Sequence, residues 1–166
     1  MANCAVITVD GVLRKHVSSA PVPVGIALYH ALTTQFTVLL VSDGEAEDLK
    51  RWMRLESINK HAAFVCNDTV LEQKSAPVRR LAQLNHLRSR GYSIQLVVEP
   101  DPQVSAKLIS QGFNVANFIH TQYALPQWRP DYESSVKPWN ELVTEAEELQ
   151  FLRDQDARFK QLEDNQ

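Results

Sequence analysis

The chain has few of the features that most readily betray a function. Cys4 and Cys66 are its only cysteines in 166 residues. They form no Cys-x-x-Cys pair, which argues against zinc. Both lie in apolar runs and read as small buried hydrophobes, and the expected compartment is a reducing cytoplasm. Charge of one sign is also scarce. A formal net charge of −3 and a pI near 5.9 do not supply the concentrated basic face that nucleic-acid binding usually needs. No apolar run approaches the ~20 residues of a membrane helix; Phe36–Val41 is typical. The N-terminus carries no basic segment followed by a long apolar one, so no signal peptide is expected. Gly-rich phosphate loops, nucleophile-elbow serines and internal repeats are missing as well. The histidines show no metal-ligand spacing, although His120 falls near a predicted strand end and is a candidate for acid–base work.

What is present is a packed-core composition. Forty-four per cent of residues are hydrophobic, and the length suits one domain. Short runs rich in Val, Ile, Leu and Phe occur at Cys4–Thr8, Thr37–Ser42, Ala63–Cys66, Ile94–Glu99 and Val115–Ile119. Continuous apolar runs of this length suit parallel strands buried on both faces. Helical patterns separate them: Val24–Gln35, Glu45–Ser57 with Asp43 as its expected N-cap, Ala76–Arg90 and Pro102–Gln111. Asp101 before Pro102 is a strong helix start. Arg79, Arg80, Arg88 and Arg90 read as an exposed basic helix face. The alternation predicts a three-layer α/β sandwich with a mainly parallel, five-stranded, Rossmann-like sheet. Residues 1–125 would form this domain. Residues 126–166 would add an arm rich in proline and aromatics and a C-terminal helix, packed or projecting.

In parallel sheets, ligands bind at the carboxyl ends of the strands. Thr8, Ser42, Asn67 and Glu99 fall there. The first strand continues as Thr8-Val9-Asp10-Gly11, the second ends in Ser42, and the fourth runs Val97-Val98-Glu99-Pro100-Asp101. In this order the motifs resemble those of haloacid-dehalogenase-like (HAD) phosphohydrolases, in a small form without a cap domain. The resemblance implies strand order 5-4-1-2-3. It implies that Asp10 acts as general acid and base, and that Ser42 and Lys74 bind phosphate, with Lys60 an alternative to Lys74. It also assigns Asp10, Glu99 and Asp101 to Mg²⁺. The segment from Lys74 to Asp101 is similar to small relatives from bacterial viruses and to phosphatases of nucleic-acid ends.

One position departs from the family pattern. Thr8 stands where those enzymes carry their nucleophilic aspartate. It removes the attacking carboxylate and one anionic metal ligand together. Other roles also fit several of these residues. Asp10 before Gly11 can form a turn, Lys74 can be a solvated surface lysine, and Asp101 can serve only as a helix cap. Glu99, by contrast, ends an apolar strand and needs solvent, a partner or a metal. The expected protein is therefore HAD-like with an impaired hydrolytic centre, acting by binding a phosphate-containing ligand or a protein. The alternatives are a Mg²⁺-dependent phosphatase of a small ester or nucleic-acid end, and a virus-encoded regulator of a host protein.

Overall fold

The computed structural model describes residues 3–16, 18–67, 75–119, 147–148 and 150–151. Within residues 3–119 the described residues form five strands joined by four helices. They are β1 (Asn3–Thr8), α1 (Pro23–Leu32), β2 (Thr37–Val41), α2 (Ala46–Leu55), β3 (Ala63–Val65), α3 (Ala76–Ser89), β4 (Ser93–Glu99), α4 (Pro102–Ser110) and β5 (Val115–Asn117). The sheet is wholly parallel, in the order β3-β2-β1-β4-β5. This is the predicted order read from the other edge, with β1 central. The strands end one or two residues short of several sequence-based limits, as fraying ends do.

The alternation of side chains along each strand divides the apolar residues between two cores. Ile7, Val38, Leu40 and Val98 point to one face, where Tyr29 of α1 and Leu49, Trp52 and Met53 of α2 cover them. Cys4, Val6, Leu39, Val41 and Val97 point to the other, against Leu84 and Leu87 of α3 and Val104 and Leu108 of α4. Both faces of the central strands are dry, which is why they lack polar alternation. The architecture is an α/β, Rossmann-like sandwich. Both cysteines are buried within it. His120, Lys74, and the segments expected to form a proline-rich arm and most of a C-terminal helix lie outside the described residues.

The sequence does not announce the turn that follows β1. Val9–Leu13 makes a wide turn closed by an i→i+5 bond from the Arg14 N–H to the Val9 carbonyl (3.0 Å) and one from the Gly11 N–H to the Arg14 carbonyl (2.7 Å). Gly11 adopts φ 96°, and a Cβ there would meet His16 Nε2 and Pro100 Cγ at 2.6 Å. The start of α1 rests on the same turn. A Cβ on Gly25 would lie 1.7 Å from the Val12 carbonyl oxygen. The site residues at the end of β1 are thus held by backbone packing.

At the far end of α2, the Ile58 N–H bonds the Met53 carbonyl (2.9 Å) and the Ser57 N–H bonds that of Arg54 (3.4 Å). This is a Schellman closure. Ser57 occupies its left-handed position, φ 57°, where glycine is usual. Two outcomes follow. Gly25→Ala should cost about 3 kcal/mol or more, because backbone and not a flexible side chain must give way. Ser57→Gly should raise stability by about 1 kcal/mol through relief of left-handed strain. Urea unfolding of both variants checks them, and a destabilised Ser57→Gly protein would contradict the strain.

Candidate functional site

The carboxyl ends of β1, β2 and β4 converge on a network of buried ions. β1 delivers Thr8, and the wide turn after it brings Asp10 back over the sheet edge. The segment after β2 supplies Ser42 and Asp43. Glu99 ends β4, and the first turns of α3 contribute Arg79, Arg80 and Gln83.

Asp10 forms the first cluster. Its Oδ1 accepts from Arg14 Nε at 2.8 Å, and its Oδ2 accepts from Ser42 Oγ at 2.6 Å and the Asp43 N–H at 2.9 Å. Arg14 reaches on to Asp48 at 3.0 Å and lies 5.6 Å from the Trp52 ring centroid. Burial alone would lower the pKa of this guanidinium, but Asp10 and Asp48 raise it overall, so Arg14 stays charged.

Glu99 forms the second cluster. Its Oε2 accepts from Thr8 Oγ1 at 2.6 Å and from Arg80 Nε at 2.9 Å, and its Oε1 accepts from the Asp101 N–H at 3.1 Å. Arg80 Nη2 also bonds Asp43 Oδ2 at 3.0 Å, and Nη1 bonds Gln83 Oε1. Gln83 Nε2 donates to the Ser42 carbonyl at 2.9 Å. Asp43 joins the clusters, with its N–H on Asp10 and its carboxylate on Arg80 and Arg79 (3.2 Å to Arg79 Nε). The side chains of Arg80 and Glu99 are 2% and 1% exposed, so water does not screen this pair.

Burial works against the charge on Arg80, but Asp43, Glu99 and Asp10 more than reverse it and the guanidinium remains ionised. Burial pushes the Glu99 carboxyl above its ordinary value. Arg80 and the Thr8 hydroxyl pull it back part of the way.

Thr8, Asp10, Ser42 and Glu99 are therefore joined in one network through Asp43 and Arg80. Asp101 is a neighbour whose side chain caps a helix. Its Oδ1 caps α4 by accepting from the N–H groups of Gln103 (2.8 Å) and Val104 (3.2 Å). Lys74 lies outside the described residues. Lys60 is exposed in the segment that enters β3, at the opposite edge of the sheet, where its N–H bonds the Tyr29 hydroxyl at 2.6 Å.

Two expectations need correction. Asp43 does not cap α2; Glu45 holds the N-cap position, with no side-chain cap bond, because Asp43 turns to the arginines of α3. Arg80 is not on an exposed face. It shares the buried side of α3 with Ala76, Leu84 and Leu87. Its i+4 spacing from Ala76 and to Leu84 was the available signal, and its charge masked it.

The arrangement does not fit Mg²⁺. That ion demands near-octahedral oxygen ligands. Here Thr8 is neutral, both Glu99 oxygens already accept hydrogen bonds, Asp101 caps a helix, and a guanidinium supplies the positive charge. Among the described residues no group of three or more His, Cys, Asp or Glu side chains is placed to hold a metal.

No family model matches the sequence, and no curated protein matches it. Among solved structures, a chain of the Pnkp1/Rnl/Hen1 RNA repair complex is similar in fold. The TM-score is 0.56 at 15% identity, over 72% of this chain and 43% of the other. The present chain thus spans less than half the length of that one, and the likeness establishes a shared fold.

The ion network generates two testable outcomes. Arg80→Met leaves Glu99 buried without its cation and Asp43 with Arg79 alone, and should cost about 3–5 kcal/mol of stability. The Glu99 shift sets a pH dependence. Its folded-state pKa lies above the 4.5 of an ordinary glutamate, so the folded protein holds this proton more tightly than the unfolded chain. The stability contributed by that proton is complete below the ordinary value and is lost as pH rises through the folded one. Glu99→Gln, which cannot ionise, should therefore gain on wild type as pH rises. Urea midpoints of both proteins between about pH 4 and 8 measure this. A variant that loses ground with rising pH would show that Arg80 outweighs burial.

Proposed function

We propose that this chain is a HAD-like domain whose phosphohydrolase centre is closed by internal ion pairs, and that it acts by binding a ligand or a protein partner. The observation that carries this reading is Arg80, buried with its guanidinium bonded to both Glu99 and Asp43. A divalent cation and a guanidinium compete for the same carboxylate oxygens, and here the protein supplies the cation. Thr8 adds to the argument. Its hydroxyl donates to Glu99, which is itself paired with Arg80, so Thr8 is a neutral hydrogen-bond donor within the network and supplies no carboxylate to attack phosphorus. Loss of a covalent nucleophile removes several kcal/mol of transition-state stabilisation, to order of magnitude. A protein partner accords with the likeness to a chain from a multi-protein complex.

The second reading is a Mg²⁺-dependent phosphatase of a nucleic-acid end. It is favoured by one observation, the shared fold with a chain of an RNA repair complex. One set of assays separates the two. Wild type and Asp10→Asn are given a chromogenic phosphate ester and an RNA oligonucleotide with a terminal phosphate, with and without Mg²⁺. No metal-dependent turnover is expected from either protein. Asp10→Asn should instead lower the melting temperature, because the Arg14 and Ser42 bonds lose their anion. Mg²⁺-dependent turnover by wild type that Asp10→Asn abolishes would overturn the closed-centre reading and establish the phosphatase.

A further inference from the structure

A groove lies apart from the ion-pair site, between the C-terminal turn of α2 and the segment that enters β3 at the sheet's edge. Its volume is about 670 Å³, within the range of small-molecule sites. The floor is apolar: Met53 and Ile58 are buried and Phe64 half-buried. His61 meets Phe64 edge-on, with ring centroids 6.0 Å apart and planes at 68°. The Nδ1 of His61 is shielded from solvent and has no hydrogen-bond partner. A buried polar nitrogen in that state is costly and calls for an explanation. Burial lowers the His61 pKa, so the ring is neutral at pH 7 and offers one donor and one acceptor.

The rim carries charge of one sign. Lys50 and Arg54 stand one turn apart on α2, both exposed, and among the described residues no carboxylate lines the groove. Glu47 pairs with Lys50 at 2.7 Å, but its side chain is 79% exposed, and such surface pairs exchange readily. The C-terminus of α2 would normally disfavour an anion nearby. Here its closing turn satisfies the carbonyls of Trp52, Met53 and Arg54 internally. That turn also places Ser57 on the rim in left-handed strain. Glycine would remove the strain and take the hydroxyl away with it. Strain retained at a groove is a mark of ligand clamps.

We propose that this groove binds a small organic anion with a flat apolar body. The rings would rest on Met53, Ile58 and Phe64 beside His61, and the anionic group would meet Lys50, Arg54 and the Ser57 hydroxyl. The site is independent of the proposed closed centre, on a different edge of the sheet.

The test uses anilinonaphthalene sulfonate as probe, with its uncharged parent phenylnaphthylamine as control, in fluorescence titrations of the folded protein. Wild type should bind the sulfonate at one saturable site, and the uncharged parent about tenfold more weakly, the scale of one charge-assisted bond. The double variant Lys50→Glu, Arg54→Glu should lose about tenfold or more in affinity. Ser57→Gly should bind the probe several-fold more weakly while unfolding at a higher temperature than wild type, an opposition that general loosening cannot produce. Circular dichroism melts confirm that each variant is folded. Absence of saturable binding by wild type, or equal binding by wild type and the charge-reversed variant, overturns the proposal.

Discussion

A guanidinium removed from water must find acceptors for its donors, and Arg80 finds them on three separate parts of the chain. Glu99 ends β4, Asp43 follows β2, and Gln83 lies one turn along α3. Thr8 at the end of β1 completes the set through Glu99. Each of these residues is fixed in turn by a further bond: Asp43 N–H to Asp10, Gln83 to the Ser42 carbonyl, Asp101 N–H to Glu99. Buried ion pairs are weak evidence for stability, because desolvation opposes the attraction. Their geometric demand is strong, however. Arg80 ties the carboxyl ends of the three central strands to α3 and to one another.

The sheet was legible in the sequence because its strands are dry on both faces. Ala5-Val6-Ile7, Val38-Leu39-Leu40-Val41 and Leu96-Val97-Val98 lack polar alternation, and the helices between them are long enough for parallel crossovers. Strand order came from the motif resemblance, which placed Asp10, Ser42 and Glu99 on neighbouring strands. Asp101 as the cap of α4 was legible from chain-local chemistry alone. The arginines of α3 were not. Composition treats arginine as a surface residue, and only the helical phase of Arg80 with Ala76, Leu84 and Leu87 contradicts that rule. Asp43 was misread for a related reason. Local pattern offered it a helix end, whereas a residue 37 positions away offered it a buried charge. The wide turn at Val9–Leu13 has no periodicity to detect, and its i→i+5 closure depends on packing against Pro100 and α1.

Thr8 and Arg80 are physically coupled through Glu99. A carboxylate at position 8 would be acceptor-only, and could not make the hydrogen bond that Thr8 donates to Glu99. It would instead set a second anion beside a buried carboxylate, which requires a cation of higher charge or a proton. Threonine removes that requirement, and one guanidinium then suffices where a metalloenzyme would hold a divalent ion. Ser42 is turned inward as well. Its hydroxyl donates to Asp10, and Asp10 is held by Arg14, so the groups that the resemblance assigns to phosphate chemistry are joined to one another. A single substitution at Thr8 addresses only one side of this exchange. Arg80 would still occupy the acceptors of Glu99 and Asp43, and Arg14 would still hold Asp10. The arrangement is a property of the whole network, and in that sense Arg80 belongs to it as fully as Asp10 does.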